Sequence, residues 1–376
     1  MAGSAILVQE IWDEIVDHLA LACRAEAMDM EDLKSASLIG RCFVSRPQSH
    51  IFRSISVQNM PRVTARVLAE RLLDLMSSSP HLIRYVQALQ IHSGDSVTLH
   101  SVAQIGWSHV YQLTLGGVEA ASGSVVLEKL TILVSLSSLR SLVFRIGHWD
   151  AALLCNIFAR CTTGVKRFTF VHCNPARLSA PFVPSAVPST LARPTHIFLS
   201  ASSSMVDLLL DPTCPVDLSG LTHLRCVEFN NQRFNVLLGR VGATLTHLHV
   251  IGRHKGLDDV NPALLPALTQ LDVYATAPPF SRFLARLPIE NRIATVNVHG
   301  NFVIDKDFEG VLLGRPMPVL KRVIVQVLEQ PPEFEAWMPS PPSAETVHSF
   351  QLRLPRLHER GLLSVEFVPF QGGCLV

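Results

Sequence analysis

A short phrase recurs along this chain and leaves few folds open to it. LTHLRCV begins at Leu221, LTHLHVI at Leu245 and LTQLDVY at Leu268, so the copies stand 24 and 23 residues apart. Weaker copies, all apolar-x-x-apolar-x-apolar in form, are VQALQIH at Val86, VYQLTLG at Val110, LRSLVFR at Leu139, VKRFTFV at Val165 and PTHIFLS at Pro194. IATVNVH at Ile293, LKRVIVQ at Leu320 and LLSVEFV at Leu362 complete the set. The last two apolar positions alternate as in a strand, and the first anchors the turn that leads into it.

Between these strands the apolar spacing changes to that of helices. Residues 150–161 place Leu153, Leu154, Ile157, Phe158 and Cys161 on one helical face. Residues 205–210, 234–241, 280–287 and 305–313 are shorter versions of the same pattern. A strand–helix unit of about 21 to 30 residues cannot bury its own apolar face, so neighbouring units must stack. The predicted fold is therefore α/β: a curved solenoid with a parallel sheet. An open α/β sheet fits the same alternation. Residues 175–194 and 331–342 are proline-rich and continue neither ladder, because each proline removes a donor. They are expected as loops, from which Phe182 or Trp337 can project toward a partner.

Ahead of the repeats the pattern is purely helical. Leu7, Val8, Ile11, Trp12, Ile15, Val16 and Leu19 fill one half of a helical wheel, and Gln9, Glu10, Asp13, Glu14 and Asp17 fill the other. A second helix is expected from Asp29 or Asp32, with Leu33, Ala36, Gly40 and Phe43 at three-and-four spacing and Leu38 widening the face. Pro47 suits the first turn of a third helix, and Ile51 and Phe52 pack before the Ile55/Val57 alternation turns the chain into a strand. A further amphipathic helix is predicted over residues 61–79, with Pro61 in its first turn and a Ser-Ser-Ser-Pro stop.

These N-terminal blocks resemble an F-box, in the divergent form common among mushroom-type fungi. Leu7, Glu10 and Ile11 match the family's Leu-Pro-x-Glu-[Leu/Ile] opening, with Val8 where proline is usual, and DLKSASLIGRCF and PQSHIFRSISV follow in order. The resemblance covers about the first sixth of the chain. It implies a three-helix F-box-like head over residues 1–58 that docks on the Skp-type adaptor of a cullin-RING (SCF-type) ubiquitin ligase. Residues 59–376 resemble the degenerate leucine-rich repeats that often follow an F-box, without the Asn or Cys ladder after each strand. On this resemblance Leu7, Ile11, Ile15, Leu19, Leu33, Leu38 and Phe43 contact the adaptor or support that contact, and the repeats select a target protein for ubiquitination. The other reading is a non-ligase interaction scaffold whose head only caps the solenoid.

Composition narrows the chemistry. Thirty-two Lys plus Arg balance 31 Asp plus Glu, with no basic run, which argues against nucleic acid as a partner. The absence of an apolar run of about 18 residues argues against a membrane, and acidic residues in the first apolar stretch argue against a secretory leader, so a cytoplasmic or nuclear protein is expected. Eight scattered cysteines without a CxxC pair suggest reduced, buried thiols. No phosphate loop, nucleophile elbow, HExxH or calcium loop is present, and neither enzymatic activity nor a cofactor is expected. A hydrolase assembled from Ser, His and Asp at strand ends remains as a third reading, one that only a structure can expose. His247 and His249 share one strand face and could bind a metal, but the sequence supplies no third ligand, so solvent or a partner is the plainer expectation. Read off the repeats, the face open to a target carries Phe198, Glu228, His249, Asp272, Asn297 and Ile324, with Gln90, Thr114, Val143, Thr169 and Glu366 in other repeats.

Overall fold

The computed structural model describes residues 9, 11–20, 31–37, 44–117, 124–147, 149–175, 191–227, 231–252, 257, 260–275, 277–299, 306–314, 317–329 and 344–369. The chain forms two compact units: Met1–Val165 with Ala186–Thr190, and Lys166–Ser185 with Leu191–Val376.

The first unit begins with helix α1 (residues 11–20), α2 (Glu31–Ala36) and α3 (Ser45–Ile51). Val16, Ala20 and Leu33 are almost wholly buried together, and Trp12, Leu19 and Ile51 pack against them. The wheel therefore divides: Val16 and Ala20 turn inward, while Ile11 and Ile15 remain 52% and 46% exposed. Asp17 ties α1 to α3 by accepting from Arg46 Nε at 2.7 Å, and it lies 2.8 Å from His50 Nε2. The Arg46 guanidinium holds the Asp17 carboxyl well below the usual carboxylate range, with His50 adding to the effect.

Strand β1 (Ser54–Gln58) pairs in parallel with β2 (Ala88–His92), β2 with β3 (Gln112–Gly116), and β3 with β4 (Ser141–Gly147). Helices α4 (Ala65–Ser78), α5 (Ser96–Ala103) and α6 (Ser124–Val134) lie between successive strands, and α7 (Ala151–Arg160) follows β4. Helix α4 begins later than the proline suggested. Thr64 caps it by accepting from Val67 N–H, Asn59 accepts from Ala65 N–H, and Pro61 lies in the preceding turn. Helix α7 agrees with its pattern: Asp150 caps it at 2.7 Å, and Leu153, Leu154, Ile157 and Phe158 are buried.

The second unit carries β5 (Arg167–Cys173), β6 (His196–Ser200), β7 (His223–Val227), β8 (His247–Gly252), β9 (Gln270–Ala275), β10 (Thr295–His299), β11 (Arg322–Glu329) and β12 (Leu363–Pro369). They pair in parallel, in chain order. Helices α8 (Ser203–Leu210), α9 (Asn231–Val241), α10 (Ala277–Ala285) and α11 (Lys306–Gly314) connect strands from β6 to β11, apart from a short turn at Pro262–Leu264 between β8 and β9. Helices α12 (Ala344–Arg353) and α13 (Pro355–Glu359) lead into β12. The recurring phrase is the core itself. Leu221, Leu224, Cys226, Leu245, Leu248, Val250, Leu268, Leu271 and Val273 are each at most 1% exposed. At about 25 cal/mol per Å² of apolar surface removed from water, these stacked rows are the main favourable contribution to the sheet. Parallel strands covered in this way require a helix or turn as each crossover, which is why the apolar period keeps alternating.

Two frames read from the sequence are corrected. Ser364, not Glu366, stands level with Ile324, while Glu366 is level with Gln326. Leu363, Val365 and Phe367 alternate over a longer run than the phrase, and a period of two leaves a slip of two undetectable. Glu228 lies outside the described residues, and the position level with Phe198 and His249 belongs to Arg225. Residues 176–190 and 330–343, which include most of the two proline-rich stretches with Phe182 and Trp337, also lie outside them.

Candidate functional site

Opposite the buried leucine rows, β5–β9 turn two rows of side chains to one face. Register places Arg167, His196, His223, His247 and Gln270 side by side in the first row. Two residues along, Thr169, Phe198, Arg225, His249 and Asp272 form the second. These residues line a concavity of about 550 Å³.

The first row is built by a dipeptide. Thr195, Thr222 and Thr246 each precede a histidine, and Thr269 precedes Gln270. Each threonine hydroxyl donates to a main-chain carbonyl of the preceding repeat: Thr195 to Lys166 at 3.3 Å, Thr222 to Thr195, Thr246 to Thr222 and Thr269 to Thr246 at 3.1 Å. The same oxygens lie 2.9, 2.8 and 2.8 Å from Nδ1 of His196, His223 and His247. Where the hydroxyl gives its one proton to the carbonyl, Nδ1 carries the ring hydrogen and donates it to the threonine oxygen. In that tautomer the basic atom of each ring is Nε2. Thus fixed, the rings stack: His196 on His223 at 4.0 Å and 15°, and His223 on His247 at 4.0 Å and 10°.

Stacking has an electrostatic consequence. Burial, followed by the positive charge that His196, His247 and Arg167 would present, pushes His223 down to about 4. Burial, Arg167 and His247 lower His196 as well. Near pH 7 these two rings are therefore neutral.

The second row is held by polar and aromatic contacts. The Arg225 guanidinium lies 4.8 Å over the Phe198 ring. Asp272 accepts from Gln270 Nε2 at 3.1 Å and from Asn297 Nδ2 at 2.6 Å, and its Oδ2 is 3.6 Å from His249 Nδ1. His247 and His249 do share a face, but in different rows: one belongs to the stack and the other stands beside Asp272. Among the described residues no group of three or more His, Cys, Asp or Glu could hold a metal ion. No described helix is long and apolar enough to cross a membrane.

Of the residues expected to meet a target, Phe198, His249 and Asp272 come together in the concavity. Asn297 and Ile324 continue their row but are only 6% and 7% exposed, so they offer little surface. The sequence reading of this face lacked Arg167, His196, His223, Arg225 and Gln270; Thr-His, repeated at consecutive strands, signals the two histidines, and Arg225 lies between the buried Leu224 and Cys226. Of the residues expected to serve an adaptor, Ile11 and Ile15 are exposed and Leu19 is half-buried against the helical core. Leu33 is interior at 1%, so it supports that surface and does not form it. Leu7, Leu38 and Phe43 lie outside the described residues.

No family model matches this chain, and neither does any curated protein. Among solved structures, the leucine-rich repeat-containing protein LegL7 from Legionella pneumophila is similar at 12% identity and a TM-score of 0.43, over 85% of this chain and 91% of that one.

Proposed function

We propose that this chain is a non-enzymatic recognition subunit of a cullin-RING ubiquitin ligase. In this reading its N-terminal helices dock the Skp-type adaptor, and the open face of β5–β9 binds a target protein. The observation that carries the adaptor half is the pair Ile11 and Ile15: one helical turn apart, apolar and about half exposed, while their neighbours Val16 and Ala20 are buried. Two exposed isoleucines beside Asp13, Glu14 and Asp17 suit an apolar interface with a polar rim, and the resemblance of the surrounding residues to an F-box supplies the partner. The target half is supported by the polar and aromatic concavity of the repeat face. Such a subunit acts by proximity, raising the effective concentration of target and ubiquitin-loaded enzyme without chemistry of its own.

Calorimetric titration of the full chain with the Skp-type adaptor tests this. The Ile11→Asp/Ile15→Asp variant should keep its helical circular dichroism, because both side chains already face water, and should lose adaptor binding. A wild-type protein that does not bind the adaptor at micromolar concentration sinks the ligase reading. It would leave the second reading, favoured by Val8 in place of the usual proline: an interaction scaffold with an F-box-like cap.

A further inference from the structure

The concavity over β5–β9 has a chemistry that a general target-binding role does not specify. Arg167 and Arg225 stand against a single carboxylate, Asp272, which Gln270 and Asn297 already engage. The lining is therefore net positive, and an anionic ligand complements it. Between Arg167 and Gln270 the three rings stack face to face, each centroid 4.0 Å from the next. The threonine contacts are all made at Nδ1, and a protonated ring can keep Nδ1–H on the threonine oxygen, so protonation leaves the ladder's anchoring intact. A protonated ring offers an anion a charged N–H donor, which a neutral ring cannot.

The geometry points to an acidic-peptide site: an extended partner segment lies across β5–β8 with Asp or Glu carboxylates on the Arg167–His196–His223–His247 row and Arg225 behind it, and its binding draws protons onto the histidines. This rests on the repeat face being the target-binding face, and it names the class of target. In the free protein, burial and mutual proximity hold His196 and His223 neutral. A carboxylate along their Nε2 edges supplies the missing counter-charge, so peptide binding and proton uptake are one event. The other charged or titratable groups facing the ladder are Arg225, His249 and Asp272 in the next row. Same-face side chains of an extended chain recur every ~6.7 Å, so carboxylates at i and i+2 roughly span the outer rings. A single nucleic-acid strand fits less well: the lining holds no lysine, and Arg225 covers the Phe198 ring that a base would stack on.

The test uses the full chain and a fluorescein-labelled peptide of alternating glutamate and alanine, followed by anisotropy, with a lysine–alanine peptide and a short uridine oligonucleotide as competitors. Saturable binding of the glutamate peptide is expected, tightening up to about tenfold per pH unit as pH falls from about 7.5 to 6, the slope for uptake of one proton. Arg167→Gln/Arg225→Gln should weaken it at least about fivefold. His196→Gln/His223→Gln/His247→Gln should abolish the pH slope; glutamine is tolerated in this row, since Gln270 occupies it on β9. If a variant loses its circular dichroism signature, the wild-type pH and competitor arms decide alone. Absence of wild-type binding at about pH 6, equal or stronger competition by the lysine peptide or the oligonucleotide, or a pH slope that survives the histidine replacements overturns the proposal. Titrating the same samples with the Skp-type adaptor separates the two claims: adaptor binding without peptide binding refutes this site and leaves the ligase reading standing.

Discussion

At the scale of single residues, two positions show how closely the chain is fitted. Gly242, just past α9, accommodates the turn of the next repeat: a Cβ there would stand 1.7 Å from the Leu264 carbonyl oxygen and 2.7 Å from that of Leu238. Both obstacles are backbone, so Gly242→Ala must push the turn away. Destabilisation of at least ~1–3 kcal/mol is expected in urea unfolding; an unchanged midpoint would mean the turn moves freely. Asp17 is the electrostatic counterpart. Its folded-state value is depressed by Arg46 and His50, so the stability it adds is fully present above about pH 4 and fades as pH falls through the depressed value. Because Asp17 and Arg46 are 38% and 44% exposed, solvent screening limits the loss in Asp17→Asn to about 1 kcal/mol at neutral pH. Denaturation followed by far-UV circular dichroism should show the two proteins converging in strong acid. Burial acts the other way on thiols: Cys161 is pushed up to about 12 and Cys226 is also raised, which makes both poor nucleophiles near neutrality.

At the scale of elements, the strands were the most legible part of the sequence. Every copy of the apolar phrase became a strand, because Leu224/Cys226 and Leu248/Val250 bury the same two positions each time. Helices α7 and α9 were legible for the same reason, through apolar spacing and, at α7, the Asp150 cap. The frame was misread at β12, where a longer alternation admits more than one register, and at β7, where Arg225 and not Glu228 lies between the buried pair, and so was the start of α4, where Thr64 outcompeted Pro61 as the opening residue. The candidate site was half legible. A residue between two buried positions must face outward, which identified Phe198, His249 and Asp272. The first row precedes the alternation, and its order comes from a threonine bonding to the carbonyl of the repeat before it. No periodicity of apolar residues carries that information.

At the scale of the whole molecule, the strands β5–β12 of the second unit pair in chain order, each with its sequence neighbours within that unit, so damage should stay local. Leu248→Ala removes a 1%-exposed side chain from β8, and such a deletion costs ~2–5 kcal/mol. Amide hydrogen exchange should lose protection in β7–β9 well before β11 and β12 respond. A uniform loss across the unit would show instead that it unfolds as one cooperative block.

The threonine–histidine step is carried by the repeat itself, once on β6, once on β7 and once on β8, and it stops where Gln270 replaces histidine on β9. The reach of the stack is therefore an integer. Copying the stretch that contains β7 would add one ring and lengthen the row by one strand spacing, ~4.8 Å, with every new contact inherited from its template. Unequal exchange between neighbouring gene segments can alter such a surface by whole steps, and a single codon change at the boundary can end it. On this face, change by counting is available to evolution alongside change by redesign.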